Sequence, residues 1–310
     1  MRVIFFGSPA IAVPFLEKLL LTGHTVESVV TQPDRPSGRG KITKAPPVKQ
    51  FAQKRAIPVF QPAKIRQAEE VTAEIKQINP DINIVVAYGQ IIPASIIYLP
   101  RFKSINVHFS LLPKYRGAAP VQWAILNGEK KTGVTIFELN EKMDEGDILA
   151  TEATDILESE NAPQLEARLA QMGTTLLIDT LARIQDVRPI PQDHSQASYA
   201  PRLNKEQGRI DWTKDAQRVD RTVRALTPWP AAFTFFKGQR IIVHAGRIKA
   251  DRGFSGLPGQ VLEAKKAGVE VGCGHGGVYV IERLQQENKK VLDAAEFLRG
   301  TKINPADFLE

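Results

Sequence analysis

The sequence predicts an α/β protein in which a Rossmann-like, mostly parallel sheet is followed by a small OB-like β-barrel. Strand and helix patterns alternate over the first 150 residues. A polar, proline-rich stretch without periodicity follows at residues 188–201, and short strands separated by turns come after it. We therefore predict a first domain at 1–189, a linker at 190–207 and a second domain at 208–310.

The first strand and helix introduce the pattern of the first domain. Residues 3–6 form an apolar run that stops at Gly7, and Ser8 is expected to cap the helix that follows. Residues 82–87 form a nearly continuous apolar strand, which is typical of a strand buried on both faces. An open parallel sheet binds its ligands at the carboxyl ends of its strands, so candidate site residues are expected there.

The second domain is predicted to contain one helix, at residues 216–226, and several short strands. The strands are expected at residues 232–236, 240–244, 259–262, 268–271 and 277–281. Strands of this length and spacing favour a small barrel of the oligonucleotide-binding type.

Composition limits the possible classes of protein. The chain has 310 residues, of which 43% are hydrophobic, and this is enough for a large core. No run of about 18 apolar residues is present, so we expect no membrane segment. The single cysteine, Cys273, excludes an intramolecular disulfide and a cysteine zinc cluster, and favours a cytoplasmic protein.

Positive charge is concentrated in the last third of the chain. The whole chain carries 41 Lys and Arg against 34 Asp and Glu, a net charge of +7. Residues 205–310 hold 18 basic and 13 acidic side chains, and therefore contribute +5 of this total. A field of this sign attracts nucleic acid, although solubility alone would explain the same charge.

Side chains alternate between polar and apolar over residues 104–110. In a strand this pattern puts Asn106, His108 and Ser110 on one face, near the point where proline and glycine end the strand. An amide beside an imidazole can hold a developing oxyanion and transfer a proton. A merely hydrated strand face would show the same alternation, so the pattern alone leaves both interpretations open.

An acidic loop at residues 140–147 is the candidate source of a carboxylate for this imidazole. It follows a predicted strand at residues 133–139, and Gly146 would let it turn tightly so that Asp144 reaches the same cleft. A carboxylate near an imidazole orients the ring and raises its basicity. Aspartate is also a common turn former, so the loop alone does not assign a role to Asp144.

Several separate motifs together resemble those of the methionyl-tRNA formyltransferase family. The motifs are Asn106-Val-His-Phe-Ser-Leu-Leu-Pro113, Tyr115-Arg-Gly-Ala-Ala-Pro120, Met143-Asp-Glu-Gly-Asp147, the segment 31–41 and residues 227–233. The resemblance covers essentially the whole chain. A conservative departure is Ser8, which stands where threonine is commoner.

The resemblance implies transfer of a formyl group from 10-formyltetrahydrofolate to the α-amino group of methionine on initiator tRNA. Asn106, His108 and Asp144 match the catalytic residues of the family. Asn106 and protonated His108 would stabilise the oxyanion, while Asp144, with a bound water, would keep the imidazole cationic and pass the proton on. The family chemistry needs no metal and no covalent enzyme intermediate.

The resemblance also implies a folate site formed by two segments. One matches the tetrahydrofolate-binding segment of the family, and the other, a loop at residues 86–93, would contact the pterin ring through its backbone. The candidate residues are Ser110, Leu111, Leu112 and Pro113 in the first segment and Val86, Tyr88, Gln90 and Ile92 in the second. For Leu111 and Leu112, ordinary core packing is the alternative.

A basic segment at residues 34–49 is the candidate contact for tRNA. Its candidate residues are Arg35, Arg39, Lys41 and Lys44. Glycines on both sides of Arg39 would allow a loop of this kind to fit phosphates and an acceptor stem. A solvated surface loop is the alternative from the residues alone, and the resemblance favours tRNA binding with Arg39 as the main contact.

Three other hypotheses remain open at this point. The same donor could serve another acceptor, such as glycinamide ribonucleotide or a sugar nucleotide, or the enzyme could release formate to water. The basic loop and the positive second domain argue against both. The chain could also be a non-catalytic tRNA-binding module, against which the complete set of Asn106, His108 and Asp144 argues. We expect a monomer whose partners are folate and initiator tRNA, with no DNA or membrane partner.

Overall fold

The computed structural model describes residues 1–37, 42–249, 253 and 256–310, and the chain divides into two compact units. The first comprises Met1–Pro120, Lys131–Asp155 and Glu166–Ala200, and the second comprises Val121–Lys130, Ile156–Leu165 and Pro201–Glu310. Two short segments of the predicted first domain thus belong to the second unit. None of the described helices has the length and apolar character that crossing a membrane requires.

The strands and helices are numbered separately in chain order. The strands are β1 (Arg2–Gly7), β2 (Thr25–Val30), β3 (Arg35–Ser37), β4 (Ile42–Lys44), β5 (Val59–Phe60), β6 (Ile82–Val86), β7 (Ser104–His108), β8 (Arg116–Gly117), β9 (Lys131–Glu138), β10 (Ile148–Asp155), β11 (Tyr199–Ala200), β12 (Ala232–Phe236), β13 (Gln239–Lys249), β14 (Val261–Lys265), β15 (Gly268–Gly272), β16 (Val278–Gln286) and β17 (Leu292–Asp293). The α-helices are α1 (Val13–Leu21), α2 (Pro47–Gln53), α3 (Glu69–Ile78), α4 (Ala94–Ile97), α5 (Pro120–Asn127), α6 (Ala162–Ala182), α7 (Ala216–Leu226) and α8 (Ala294–Gly300).

A seven-stranded sheet in the order β10-β9-β7-β6-β1-β2-β5 forms the centre of the first unit. Its β1, β2, β5, β6 and β7 strands run parallel. At one edge, β9 pairs antiparallel with β7, and β10 pairs antiparallel with β9. The predicted mostly parallel α/β sheet is confirmed. Every residue of β6 is buried, as the continuous apolar run predicts, and the strand ends before Ala87, whose φ of 49° turns the chain out of the sheet.

The strand order reverses between β1 and β6, because the chain first adds β2 and β5 on one side of β1 and then β6 and β7 on the other. Such a reversal leaves a crevice beyond the carboxyl ends of the two strands. Ser8, directly after β1, lies there. Its Oγ accepts hydrogen bonds from the Gln32 backbone N–H at 3.0 Å and the Thr31 hydroxyl at 3.2 Å. The prediction that Ser8 caps a helix is wrong, since Pro9 holds the cap position.

The second unit contains an antiparallel sheet in the order β12-β13-β16-β15-β14, with β17 beside β16. Helix α7 has the predicted bounds and begins after Asp215, whose carboxylate accepts the Arg218 backbone N–H at 2.6 Å. The C-terminal residues join the two outer strands. Glu310 exchanges two backbone hydrogen bonds of 2.9 Å with Phe235 in β12, and the N–H of Val261 in β14 donates to Asp307 at 2.7 Å. That this sheet, whose outer strands are joined through the C-terminal residues, is an OB-like barrel stays a prediction.

Candidate active site

Strand β7 presents Asn106 and His108 on one face at its carboxyl end, as the period-two pattern predicts. Asn106 lies opposite Val85 of β6 and Phe137 of β9. His108 is the last residue of the strand, and its side chain is 7% exposed. The side chain of Asn106 is partly exposed and has no hydrogen-bond partner among the described residues. An amide and an imidazole therefore stand side by side at a strand end.

The contacts of the His108 ring decide which nitrogen can act on a ligand. Nε2 lies 2.9 Å from the carbonyl oxygen of Tyr115, and because a carbonyl can only accept, Nε2 carries a proton and donates it. Nδ1 faces Oδ2 of Asp144 at 3.8 Å, which is too long for a hydrogen bond but close enough for an ion pair when the ring is protonated. Nδ1 is therefore the nitrogen available to exchange a proton with a ligand.

Asp144 is oriented by the backbone of a neighbouring short strand. Its Oδ2 accepts the backbone N–H of Gly117 at 2.8 Å, and Asp144 itself has a positive φ of 53°. Gly117 belongs to β8, which pairs with β11, and this pairing also holds the Tyr115 carbonyl that His108 contacts. The structure thus brings His108 and Asp144 together next to Asn106. Their catalytic roles stay a prediction.

Gly146 is required by a close approach rather than by a tight turn. A Cβ at this position would lie 1.6 Å from the carbonyl oxygen of Glu138 in β9. Its φ is not in the left-handed region, which Asp144 occupies instead. The predicted reason for this glycine, a tight turn, is therefore wrong: the loop packs directly on the strand that precedes it and leaves no room for a side chain.

Four further side chains, one of them in the loop itself, form a cluster here that no sequence pattern indicates. They are Arg116, Glu145, Gln192 and His194. The Arg116 guanidinium is 1% exposed, and its Nη1 lies 3.3 Å from Oε1 of Glu145. The same guanidinium donates from Nη2 to Nδ1 of His194 at 2.9 Å and to Oε1 of Gln192 at 2.7 Å. Gln192, which is buried, and His194, which is exposed, lie in the predicted linker, where no periodicity indicates a contact with this loop.

The first predicted folate segment is packed against β9. Ser110 is fully buried, and its hydroxyl donates to the carbonyl of Lys114 at 2.6 Å. The Leu112 backbone N–H donates to the Thr135 hydroxyl at 3.2 Å, and a Cβ on Gly133 would lie 2.5 Å from the side chain of Leu111. Leu111 and Pro113 keep partial exposure, whereas Leu112 is buried. Core packing thus explains much of this segment, and its contact with folate stays a prediction.

The second predicted folate segment turns the chosen side chains away from solvent. Val86, Tyr88 and Ile92 are buried, and the Tyr88 ring packs edge-on against Phe6 with 5.5 Å between the ring centroids. Burial raises the pKa of the Tyr88 hydroxyl far above its ordinary value. These three side chains are turned away from solvent, which leaves the backbone of the loop for contact with the pterin ring, as expected. That contact stays a prediction.

Gln90 has a structural role in the same segment. Its Oε1 accepts the Ile65 backbone N–H at 2.8 Å, and its Nε2 lies 3.2 Å from the carbonyl of Pro62. The residues between the buried ones, Ala87, Gly89 and Ile91, are the exposed members of the loop. A planar ligand at this loop would meet these residues and the peptide groups beside them.

The basic segment 34–49 contains a short hairpin formed by β3 and β4. Arg35 lies opposite Lys44 in this hairpin, and both residues are exposed. Arg39 and Lys41, which were predicted with them as tRNA contacts, lie outside the described residues. The structure therefore places two of the four predicted basic side chains on one exposed element.

The base of the hairpin is tied by Asp34. Lys49 Nζ lies 2.8 and 2.9 Å from the two carboxylate oxygens of Asp34, and Gln61 Nε2 donates to one of them at 2.6 Å. These hydrogen bonds, from Gln61 first and then from Lys49, lower the pKa of the Asp34 carboxyl below its ordinary value. Asp34 is therefore ionised at neutral pH and joins both ends of the basic segment.

The part of the chain that the structure describes contains no group of three or more His, Cys, Asp or Glu side chains that could hold a metal ion. The expectation of a reaction without a metal stays a prediction.

Comparison with known proteins identifies the family of the chain. Residues 1–181 match the formyl transferase family, and residues 202–302 match the formyl transferase C-terminal domain. A methionyl-tRNA formyltransferase of Citrifermentans bemidjiense is 45% identical over 100% of this chain and 96% of its own length. The chain belongs to the formyl transferase family, and the protein is a formyltransferase enzyme.

Two solved structures share the fold at low sequence identity. HypX from Aquifex aeolicus in complex with tetrahydrofolic acid has a TM-score of 0.67 and 21% identity, over 100% of this chain and 50% of that one. The methionyl-tRNA formyltransferase from Clostridium thermocellum has a TM-score of 0.59 and 18% identity, over 80% of this chain and 94% of that one.

Proposed function

We propose that this enzyme transfers the formyl group of 10-formyltetrahydrofolate to the α-amino group of methionyl initiator tRNA, in the cytoplasm, for translation initiation. The observation that carries the proposal is the pairing of His108 and Asp144 beside Asn106, in a chain 45% identical over its full length to a methionyl-tRNA formyltransferase. The full-length match favours tRNA over another acceptor, because it includes the positively charged second unit.

The chemical step is direct attack of a neutral amine on the formyl carbon. The nitrogen lone pair forms the new C–N bond, and the carbonyl π electrons move to oxygen to give a tetrahedral oxyanion. The Asn106 amide and protonated Nδ1 of His108 donate hydrogen bonds to this oxygen, and one such donor contributes about 3–4 kcal/mol. Collapse of the intermediate breaks the bond between the formyl carbon and N10 of the folate, which takes up the proton that the amine loses.

Asp144 and Tyr115 give the imidazole its role. Because Tyr115 holds the proton on Nε2, the proton gained or lost in the reaction is the one on Nδ1. The Asp144 carboxylate, 3.8 Å from Nδ1, is placed to pair with the ring when the ring carries the reaction's proton, and a bound water helps it to pass that proton on. The reference pKa of an α-amino group is about 7.7–8.0, so enough neutral amine exists at neutral pH without a strong base.

The substrates are assigned to two surfaces of the first unit. The loop 86–93 presents its peptide groups and its exposed residues to the pterin ring, next to Ser110 and the residues that follow it. Folate binding is supported by the family match and by the tetrahydrofolic acid bound to a protein of similar fold. Arg35 and Lys44 on the hairpin, together with Arg39 and Lys41, contact tRNA phosphates. We expect the enzyme to act as a monomer.

The test is formyl transfer from 10-formyltetrahydrofolate to methionyl initiator tRNA, measured for the natural chain and for His108→Ala. Loss of the acid–base group should lower kcat by roughly 100- to 10,000-fold, while tRNA affinity changes less than about twofold. His24→Ala, outside the site, serves as the control. A natural chain that binds tRNA without transferring formyl would be a binding module. Formylation of a nucleotide sugar or release of formate, without product on tRNA, would favour the other acceptors.

A further inference from the structure

The Gln192 side chain connects the loop that carries Asp144 to the interior of the first unit. Its Nε2 donates to the carbonyl oxygens of Asp144 at 2.9 Å and of Gly146 at 2.7 Å. The side chain is buried. One amide therefore uses both of its N–H groups on the two peptide carbonyls either side of Glu145.

Arg116 fixes the orientation of this amide. Nε and Nη2 of Arg116 donate to Oε1 of Gln192 at 3.2 and 2.7 Å. A guanidinium has donors only, so the amide cannot turn its nitrogen towards Arg116. The remaining nitrogen, Nη1, faces the carboxylate of Glu145 at 3.3 Å, which ties the same buried cation to the loop directly.

The loop needs such a support because of its conformation. Asp144 adopts a positive φ, which a residue with a side chain occupies only when its surroundings hold it there. Outside this residue the loop is largely exposed, with Glu141, Lys142 and Met143 at the surface. The two hydrogen bonds from Gln192 hold the peptide groups that set the direction of the Asp144 carboxylate.

We propose that Gln192 is a positioning residue that acts through Asp144. It holds the Asp144 carboxylate at its distance from Nδ1 of His108, and Arg116 holds Gln192 in the orientation this requires. The proposal rests on the proposed function, since it assigns Asp144 a part in formyl transfer.

The principal variant is Gln192→Glu, which keeps the size of the side chain and its contact with Arg116. Its carboxylate oxygens cannot donate to the two carbonyls, so the loop loses the two hydrogen bonds that hold its peptide groups. We expect kcat to fall about 10- to 100-fold, as for a misplaced catalytic group, with both KM values within about twofold of the natural chain. Gln171→Glu, which adds the same charge at an exposed position of α6, should leave kcat unchanged.

A double-mutant cycle with Asp144→Asn separates positioning from general support of the fold. If Gln192 acts through Asp144, Gln192→Glu should lower kcat less than about twofold further once Asp144 is replaced. Losses that multiply fully in the double variant would overturn the proposal, because the two residues would then act independently.

A second variant, Gln192→Met, removes the donors without adding charge and should show the same loss and the same non-additivity. Circular dichroism and thermal melting are measured for every variant. If neither variant folds, Gln192 supports the whole unit and the proposal is overturned. The natural chain tests the two proposals separately: absence of formyl transfer to methionyl-tRNA contradicts the proposed function, whereas an active natural chain with fully active Gln192 variants contradicts only this inference.

Discussion

Asn106 differs from the other two predicted catalytic residues in its contacts. His108 is held by the Tyr115 carbonyl and Asp144 by the Gly117 N–H, whereas the Asn106 amide has no hydrogen bond among the described residues. A donor that is not used within the protein is suited to an oxygen that arrives with the substrate. We therefore assign its main energetic contribution to the transition state and not to folding.

This assignment predicts that Asn106→Ala lowers kcat by roughly 100- to 1,000-fold, as for the loss of one oxyanion donor. The free energy of unfolding should change by less than about 0.5 kcal/mol, because no described hydrogen bond of this partly exposed side chain is lost. Steady-state formyl transfer and urea unfolding measure the two effects. The isosteric Asn106→Asp, which puts a negative charge beside the oxyanion, should lose at least as much activity. A fully active Asn106→Ala would remove this residue from the mechanism.

At the scale of an element, the β3–β4 hairpin belongs to a polar segment without periodicity whose two ends are nevertheless fixed by side-chain hydrogen bonds. Asp34 accepts hydrogen bonds from Lys49 and Gln61. The first and last residues of the basic segment 34–49 are therefore held next to each other. The lowered pKa of Asp34 means that this contact is fully present above the ordinary aspartate pKa and is lost only as the pH falls through the lowered value. The hairpin therefore presents Arg35 and Lys44 from an anchored base at neutral pH.

The hairpin provides a prediction for tRNA binding. Replacing both Arg35 and Lys44 by alanine should raise the KM for methionyl-tRNA and reduce the slope of log affinity against log salt by about one to two, since up to two phosphate contacts are lost. The KM for 10-formyltetrahydrofolate should stay the same. The matched control is Lys18→Ala combined with Lys54→Ala, two exposed lysines outside the hairpin. An unchanged salt slope in the hairpin variant would exclude these side chains as phosphate contacts.

At the scale of the whole molecule, each compact unit has its own core and a different sheet. The apolar side chains of α7, β13, β15 and β16 meet in the core of the second unit, and the only cysteine of the chain, Cys273, is buried among them. Burial raises the pKa of its thiol to about 12. Since the thiolate is the reactive form, Cys273 is a probe for opening of this core.

We predict that Cys273 reacts with a thiol reagent at pH 8 on the order of 1,000-fold more slowly in the native protein than in denaturant, because so little thiolate is present at a pKa of about 12. Absorbance of the released thiolate from an aromatic disulfide reagent measures the rate. One equivalent should appear after unfolding in urea. Rapid reaction of one equivalent with the native protein would show that the thiol is accessible and contradict the burial described here.

Local patterns along the chain were enough to predict the parallel sheet, helix α7, and the strand face shared by Asn106 and His108. These features depend on periodicity and on end signals within a few residues, and such signals are present in the sequence itself. The roles proposed for the site came from motifs in combination, not from any one pattern.

The tertiary structure decided which side chains meet. Gln192 binds the loop at Asp144, 48 residues before it, and Ser8 accepts hydrogen bonds from the end of a neighbouring strand instead of capping a helix. Contacts of this kind depend on how segments distant in the chain pack against each other. Local sequence patterns do not determine that packing.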